Sequence, residues 1–410
     1  MASSLTLPGS RPRGALRQVH RAGWVMVDPD DILQNGYVVI EDRIIREVGR
    51  GRVPGDALVT DHGSGVLMPP LANVHTHLEL SALQGRIGSW PEFRSWVREL
   101  IRLRDEIDAA SLLESARNAV RFLKASGCLL VGDISTTGLT REMFFASGLC
   151  GVWFQELLGG DPAALSVEGK GGQIDSFRIA ALAGHGPHTT SPGVLAALKS
   201  RTRGDDAPFS IHAAESEDEM TFLAEGKGAW ADLLTERGID FQDWPVGSAS
   251  PVRYLERLGL LDRRTILVHC IHCDGEDRDL LRKHQPSVCL CPRSNQRLHR
   301  RLPDVEALHR SGVNLCLGTD SLASVDSLDI FDEMAFLARM FPGLSPCSIL
   351  RMATKNGAAA LGLAAHFGTL TPGKQGAMLY LPLEAASREE LAAALVGSGP
   401  TAGGRLLGTA

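Results

Sequence analysis

The chain has 410 residues, 44% of them hydrophobic and 22% charged, a balance that buries a substantial core and excludes both a disordered and a membrane-class polypeptide. Lys and Arg number 42 against 48 Asp and Glu, a formal net charge of −6 with no basic block, so nucleic acid and other polyanions are not expected partners. No stretch approaches the roughly 20 apolar residues of a membrane span, and the basic start, residues 1–23, lacks an apolar core of signal-peptide length; the expected compartment is the cytoplasm.

In chain order, residues 23–48 alternate apolar runs with turn signals at Asp28-Pro29-Asp30 and Asn35-Gly36, the pattern of short antiparallel strands. The rhythm then changes to short apolar runs separated by helical segments, the βα alternation of a parallel sheet or barrel. The runs are 71–74, 129–133, 152–154, 179–183, 209–211, 265–268, 287–290 and 313–317. Between them, 93–107 and 112–123 space apolar residues by three and four, as helices packed on a sheet do. Eight runs predict a closed (β/α)8 barrel rather than an open sheet. A turn cluster at 368–374 precedes the apolar run 377–381, which predicts a strand returning to the N-terminal unit. Residues 397–408, rich in Gly and small side chains, are expected to form a loosely held tail. The expected organisation is an α/β protein in two parts: a TIM-like barrel over 67–364, and a small composite β-sandwich from 1–66 and 365–410.

Barrels of this kind place their chemistry at the C-terminal ends of the strands, so the polar residues that follow each run are the candidates. After the first run comes His75-Thr76-His77, where i, i+2 spacing in an extended segment lets two imidazoles reach one metal ion. His212 follows the fifth run with Glu215 three residues on, His269 follows the sixth, and Asp320 follows the eighth. Asp133 and Glu156 end the second and third runs, either as acids facing the pocket or as buried hydrogen-bond acceptors. His62, His284, His299, His309 and His366 lie in turns or charged helical stretches and read as core or surface residues without function; His20 reads as a solvated residue of the basic leader. The eight cysteines are too few for a disulfide scaffold. Cys270 with Cys273, and Cys289 with Cys291, have short metal-like spacing, but they fall in or against strands, where free Cys serves as a small apolar residue.

Four strings occur in order: 68–79 (MPPLANVHTHLE), 212–216 (HAAES), 291–295 (CPRSN) and 318–321 (GTDS). They resemble the amidohydrolase superfamily, and within it the deaminase and chlorohydrolase branch; the resemblance runs from about 23 to about 383 and includes the split β-sandwich flanking that family's barrel. It implies that His75, His77, His212 and Asp320 bind one divalent metal, zinc or iron. It implies further that Glu215 shuttles protons, that His269 orients the attacking water or the leaving group, that Asp320 also acts as general base, and that His188 touches substrate. The residue types suit that chemistry, because water is a poor nucleophile until a bound divalent ion lowers its pKa. Attack on an amidine-like ring carbon then requires one proton on the ring nitrogen and another on the departing amine, which a single cycling carboxylate can deliver. Binuclear members of the superfamily resemble one another in a bridging Lys, carboxylate or Cys near the end of the fourth strand. This chain has Ala183-Gly184-His185-Gly186 there, so a single metal is expected, with His185 open between a loop histidine and a substrate contact.

The segment His77-Leu78-Glu79-Leu80-Ser81 and residues 250–261 are similar to deaminases of aminodeoxyfutalosine, an adenine-bearing intermediate of an alternative menaquinone pathway. The implied substrate is 6-amino-6-deoxyfutalosine, deaminated with release of ammonia and touched by Glu79, Glu156, His188 and Ser321. S-adenosylhomocysteine, methylthioadenosine, guanine and a chlorotriazine are the alternative substrates, and a catalytically silent metal-binding barrel is the alternative of a different class. The returning strand departs from the family's usual Ala-Asp with Gly376-Ala377-Met378. No G-x-G-x-x-G follows a first strand, so a dinucleotide enzyme is not expected. The expected partner is a small nucleoside, with a homodimer left open.

Overall fold

Each of the eight apolar runs forms a parallel strand in the computed structural model, which describes residues 17–52, 58–88, 90, 92–160, 172–397 and 404–408. The strands are Leu71–Thr76, Cys128–Ser135, Cys150–Leu157, Arg178–Gly184, Phe209–Ala213, Thr265–His269, Ser287–Leu290 and Asn314–Leu317. Each is hydrogen-bonded to the next, and a bridge between Thr76 and Asp320 joins the first edge to the last. The result is a nearly closed (β/α)8 barrel.

The period-two geometry of strands decides which side chains enter the barrel. Trp153, Leu182, Leu267, Val288 and Leu315 pack with apolar residues of the surrounding helices, such as Leu123, Leu195 and Leu281. Their neighbours Val152, Phe154, Ala181, Ala183, Ile266, Val268, Cys289 and Cys316 form the opposite, interior cluster, with Leu361 and Phe367 packed against it. On the fifth strand Phe209, Ile211 and Ala213 belong to the helix-facing set, so Ser210 and His212 point inward. Continuing the interior parity past the third and fourth strands places Glu156 and His185 inward too. Glu156, His185 and His212 are therefore aimed by the same alternation that builds the core, whereas His269, next to the inward Val268, has backbone at φ 76°.

Among the described residues the accessory sheet has seven strands. Gln18–Asp28 and Asp31–Glu41 form its central hairpin, closed by Asp28 Oδ1, which accepts from the backbone N–H of Asp30 and Asp31 at 2.7 and 3.2 Å. The second expected turn is corrected. Asn35-Gly36 lies within the long strand, where Asn35 adopts φ 51° and a Cβ on Gly36 would sit 2.7 Å from Val25 Cγ2. The chain reverses instead at Asp42-Arg43, both at positive φ (52° and 65°), the twist that suits a two-residue hairpin. Met378–Leu381 returns to pair antiparallel with Val66–Met68, as expected.

Before the expected tail, Arg388–Gly397 is a helix whose Leu391, Ala392, Leu395 and Val396 join the main core; within the tail, Arg405–Leu407 differs from the expectation by pairing with Met378–Leu381. Residues 398–403, like the leader 1–16, lie outside the described residues. His20 is not in a solvated leader but on a strand, its Nδ1 3.0 Å from His62 Nε2. Among the described residues no helix is long and apolar enough to cross a membrane.

Candidate active site

His75, His77, His212, His269 and Asp320 converge at the C-terminal mouth of the barrel. Their ligand atoms form two overlapping groups, His75 with His77 and Asp320, and His75 with His212 and His269, within which all atoms lie within 4.8 Å of one another. His77 Nε2 is 3.2 Å from His75 Nε2, and Asp320 Oδ1 is 3.8 and 3.6 Å from those two nitrogens. A tetrahedral ion with bonds of about 2.0–2.1 Å sets its ligands roughly 3.3 Å apart, so the spacing fits one cation. Two facing imidazole nitrogens beside a carboxylate are a donor set of that kind.

Neighbouring groups fix each ligand's orientation. His212 Nδ1 donates to the His185 carbonyl at 2.6 Å, which leaves Nε2 as the ligand atom. Asp320 Oδ2 accepts from Ser294 Oγ and Ser324 Oγ at 2.6 and 2.9 Å, turning Oδ1 to the histidines. His269 Nδ1 pairs with Asn295 Oδ1 at 2.7 Å. Burial, reinforced by the surrounding imidazoles, holds His75 well below the ordinary histidine range and lowers His212 to about 3, so both are neutral, as a metal ligand must be.

Strand ends at the site carry unusual backbone. Ala214, His269, Cys270 and Asp320 all have positive φ, of 55°, 76°, 49° and 61°, a region costly for residues with a Cβ and concentrated at functional sites. Ala214 and Glu215 are held in this turn by Glu219, which is fully buried. Its two carboxylate oxygens accept the N–H of Ala214 at 3.2 Å and of Glu215 at 2.8 Å. Glu219 is thus a buried support within the helix Glu217–Glu225 that this turn opens.

Glu215 stands beside the ligands, its Oε1 3.6 Å from His269 Nε2 and 3.1 Å from His299 Nε2. Burial would push its carboxyl up, but the imidazoles of His269, His299 and His212 outweigh that and hold it well below the usual carboxylate range. His299, read from the sequence as functionless, is therefore drawn into the site. It ends the helix Pro292–His299, one turn beyond Asn295. That i, i+4 relation to a motif residue was the signal available in the sequence.

A cavity of about 480 Å³ opens above the ligands. His77, His212, Glu215, His269, Asp320 and Ser321 line its polar end, with Thr136, Glu156, His185 and Thr189 on one side. Glu156 accepts from Thr136 Oγ1 at 2.7 Å through Oε2, while its buried Oε1 has no hydrogen-bond partner. Glu156, His185 and His212 form a third close group, but the His212 Nδ1 on that side already serves the His185 carbonyl. The far end is apolar, with Phe93, Trp96, Leu100, Trp230 and Leu233 beside Arg104 and Arg237.

Other sequence candidates sit behind the wall. Glu79 accepts from Ser135 Oγ, Thr137 Oγ1 and the N–H of Thr136 and Thr137, which fixes the loop carrying Thr136. His188 is buried against Trp230, ring centroids 4.3 Å apart. Asp133 spends both oxygens on Leu78 N–H and Thr140 Oγ1. Cys270 and Cys289 pack in the two apolar clusters, and among the described residues no cysteine joins a ligand group.

Residues 66–400 match the amidohydrolase family. The chain is 28% identical over 385 residues to a 5-methylthioadenosine/S-adenosylhomocysteine deaminase of Syntrophomonas wolfei, covering 87% of this chain and 83% of that protein. It is 28% identical over 320 residues to the aminodeoxyfutalosine deaminase of Deinococcus radiodurans, covering 74% and 75%. Helicobacter pylori aminofutalosine deaminase, solved with methylthio-coformycin, superposes with a TM-score of 0.80 at 21% identity over 93% of this chain and 96% of that one.

Proposed function

Because the chain belongs to the amidohydrolase family and is a hydrolase acting on C–N bonds, we propose that it removes the 6-amino group of an adenine-type nucleoside, with 6-amino-6-deoxyfutalosine preferred. The observation that carries this reading is that two carboxylates line one cavity beside the histidines, Asp320 Oδ1 3.6 Å from His77 Nε2 and Glu215 Oε1 3.6 Å from His269 Nε2. His75, His77, His212 and Asp320 would hold a single divalent ion, zinc or iron, whose contribution is to lower the pKa of water toward neutrality.

The residues divide the proton work. Glu215, ionised at rest, takes one proton from the attacking water and passes it to the ring nitrogen as oxygen bonds to the adjacent carbon. Asp320, anchored through Oδ2, faces the reacting oxygen with Oδ1 and takes the second proton from it as the carbonyl forms. That second water proton goes on to the departing amine, so the C–N bond breaks with release of ammonia and both carboxylates end ionised. His269, its Nδ1–H given to Asn295 Oδ1, presents Nε2 as an acceptor that orients the attacking water. Each proton transfer is local.

Substrate selectivity follows from the remainder of the cavity. Glu156 Oε1, buried without a partner, suits a ribose hydroxyl, since a polar site left unmatched rejects analogues that lack the group. The aromatic far wall suits an apolar 5′ substituent, and Arg237, which has no acidic partner among the described residues, suits a distal carboxylate. Glu79 and His188 then act through the loop and the tryptophan they support.

The test is a side-by-side measurement of kcat/KM for ammonia release from 6-amino-6-deoxyfutalosine, methylthioadenosine, S-adenosylhomocysteine, 5′-deoxyadenosine and guanine. The first is expected to lead, and Arg237→Ala to narrow its lead over methylthioadenosine. Guanine or free adenine as much the best substrate would defeat the nucleoside assignment.

A further inference from the structure

One short helix, Pro292–His299, touches three of the groups that move protons or orient water. Ser294 donates to Asp320 Oδ2 at 2.6 Å, Asn295 pairs with His269 Nδ1 at 2.7 Å, and His299 Nε2 lies 3.1 Å from Glu215 Oε1. Asn295 and His299 are one turn apart, so they share a helix face, while Ser294 looks to the neighbouring strand end. From this arrangement we propose that His299 is a positioning residue for Glu215, the third anchor on a helix that sets the acid–base groups in one frame.

The proposal rests on the reading of Glu215 as the proton shuttle. With its Nε2–H on Oε1, His299 leaves Oε2 as the oxygen that exchanges protons with substrate, and it stops the side chain rotating away. The His299 ring is itself fixed. It is almost wholly buried and packs edge-on against Phe93, ring centroids 4.6 Å apart. An outer partner that orients a functional side chain in this way commonly supports it by 10–100-fold.

The experiment compares His299→Ala, His299→Phe and His299→Gln in metal-loaded protein, with Glu215→Gln as reference. Three readouts are taken: kcat and KM separately, metal content, and calorimetric affinity for a coformycin-type tetrahedral mimic. Alanine and phenylalanine are expected to lower kcat about 10- to 100-fold and to weaken the mimic, with KM and metal content little changed. Phenylalanine keeps the packing on Phe93 but has no donor, whereas glutamine restores an N–H and should recover much of the loss. If Glu215→Gln is inactive while the alanine and phenylalanine variants turn over normally, the positioning role is overturned and the shuttle reading stands. Equal loss in all three His299 variants overturns it as well, since packing alone would explain that result. Near-normal turnover in Glu215→Gln overturns both.

Discussion

Glu215, which we propose shuttles the protons, has surroundings that separate it from an ordinary surface acid. It sits between two imidazoles, with Glu219 holding its backbone. Glu215→Gln is expected to keep fold and metal while cutting turnover by at least the roughly 10²-fold typical of a lost acid–base group; steady-state kinetics beside elemental analysis checks this. His75→Ala and Asp320→Ala, in contrast, should lose metal and activity together, and one ion per chain should be found in the parent protein. At this scale the sequence was informative where a polar side chain sits at the C-terminal end of a strand: His75, His77, His212, His269 and Asp320 all reach the site, His212 by alternation and His269 and Asp320 with backbone at positive φ. It was uninformative for His299, whose surroundings in the sequence are a charged helix, and for Glu79, an acid whose two oxygens are both engaged by one loop.

Among the elements, the turn from the fifth strand into the helix Glu217–Glu225 bears most directly on function. Glu219→Ala leaves two buried N–H groups, those of Ala214 and Glu215, without acceptors, at a cost of about 2–4 kcal/mol. It should also lower kcat, because Glu215 loses its backbone restraint. Urea denaturation and turnover measured on the same preparation test both effects; unchanged stability would mean that the turn holds itself. Apolar runs identified every barrel strand because each is buried on both faces and reads as a continuous hydrophobic segment. Turns were harder. Asn35-Gly36 is a common hairpin signal, yet here Gly36 is required by its closeness to Val25, and the true reversal uses Asp42-Arg43, residues with no such signature.

Across the whole molecule, the accessory sheet is tied together partly by ionisable groups that the fold keeps neutral. His20 is lowered from 6.5 to about 4, by burial and then by the charge of His62, and His62 is lowered by burial and Arg405. A fold that prefers the neutral form is stabilised fully above the unfolded pKa of 6.5, and loses that contribution as pH falls through about 4. Thermal unfolding midpoints should therefore decline from about pH 6.5 to 4 more steeply in the parent protein than in His20→Gln. Parallel declines would show that other groups carry the effect. The bond that is broken is read by mass spectrometry of the purine product formed from 6-amino-6-deoxyfutalosine in water enriched in oxygen-18. The predicted product is the intact hypoxanthine nucleoside carrying one heavy oxygen, with one ammonia released for each. Release of free adenine, or a product without label, would contradict hydrolytic deamination at this site.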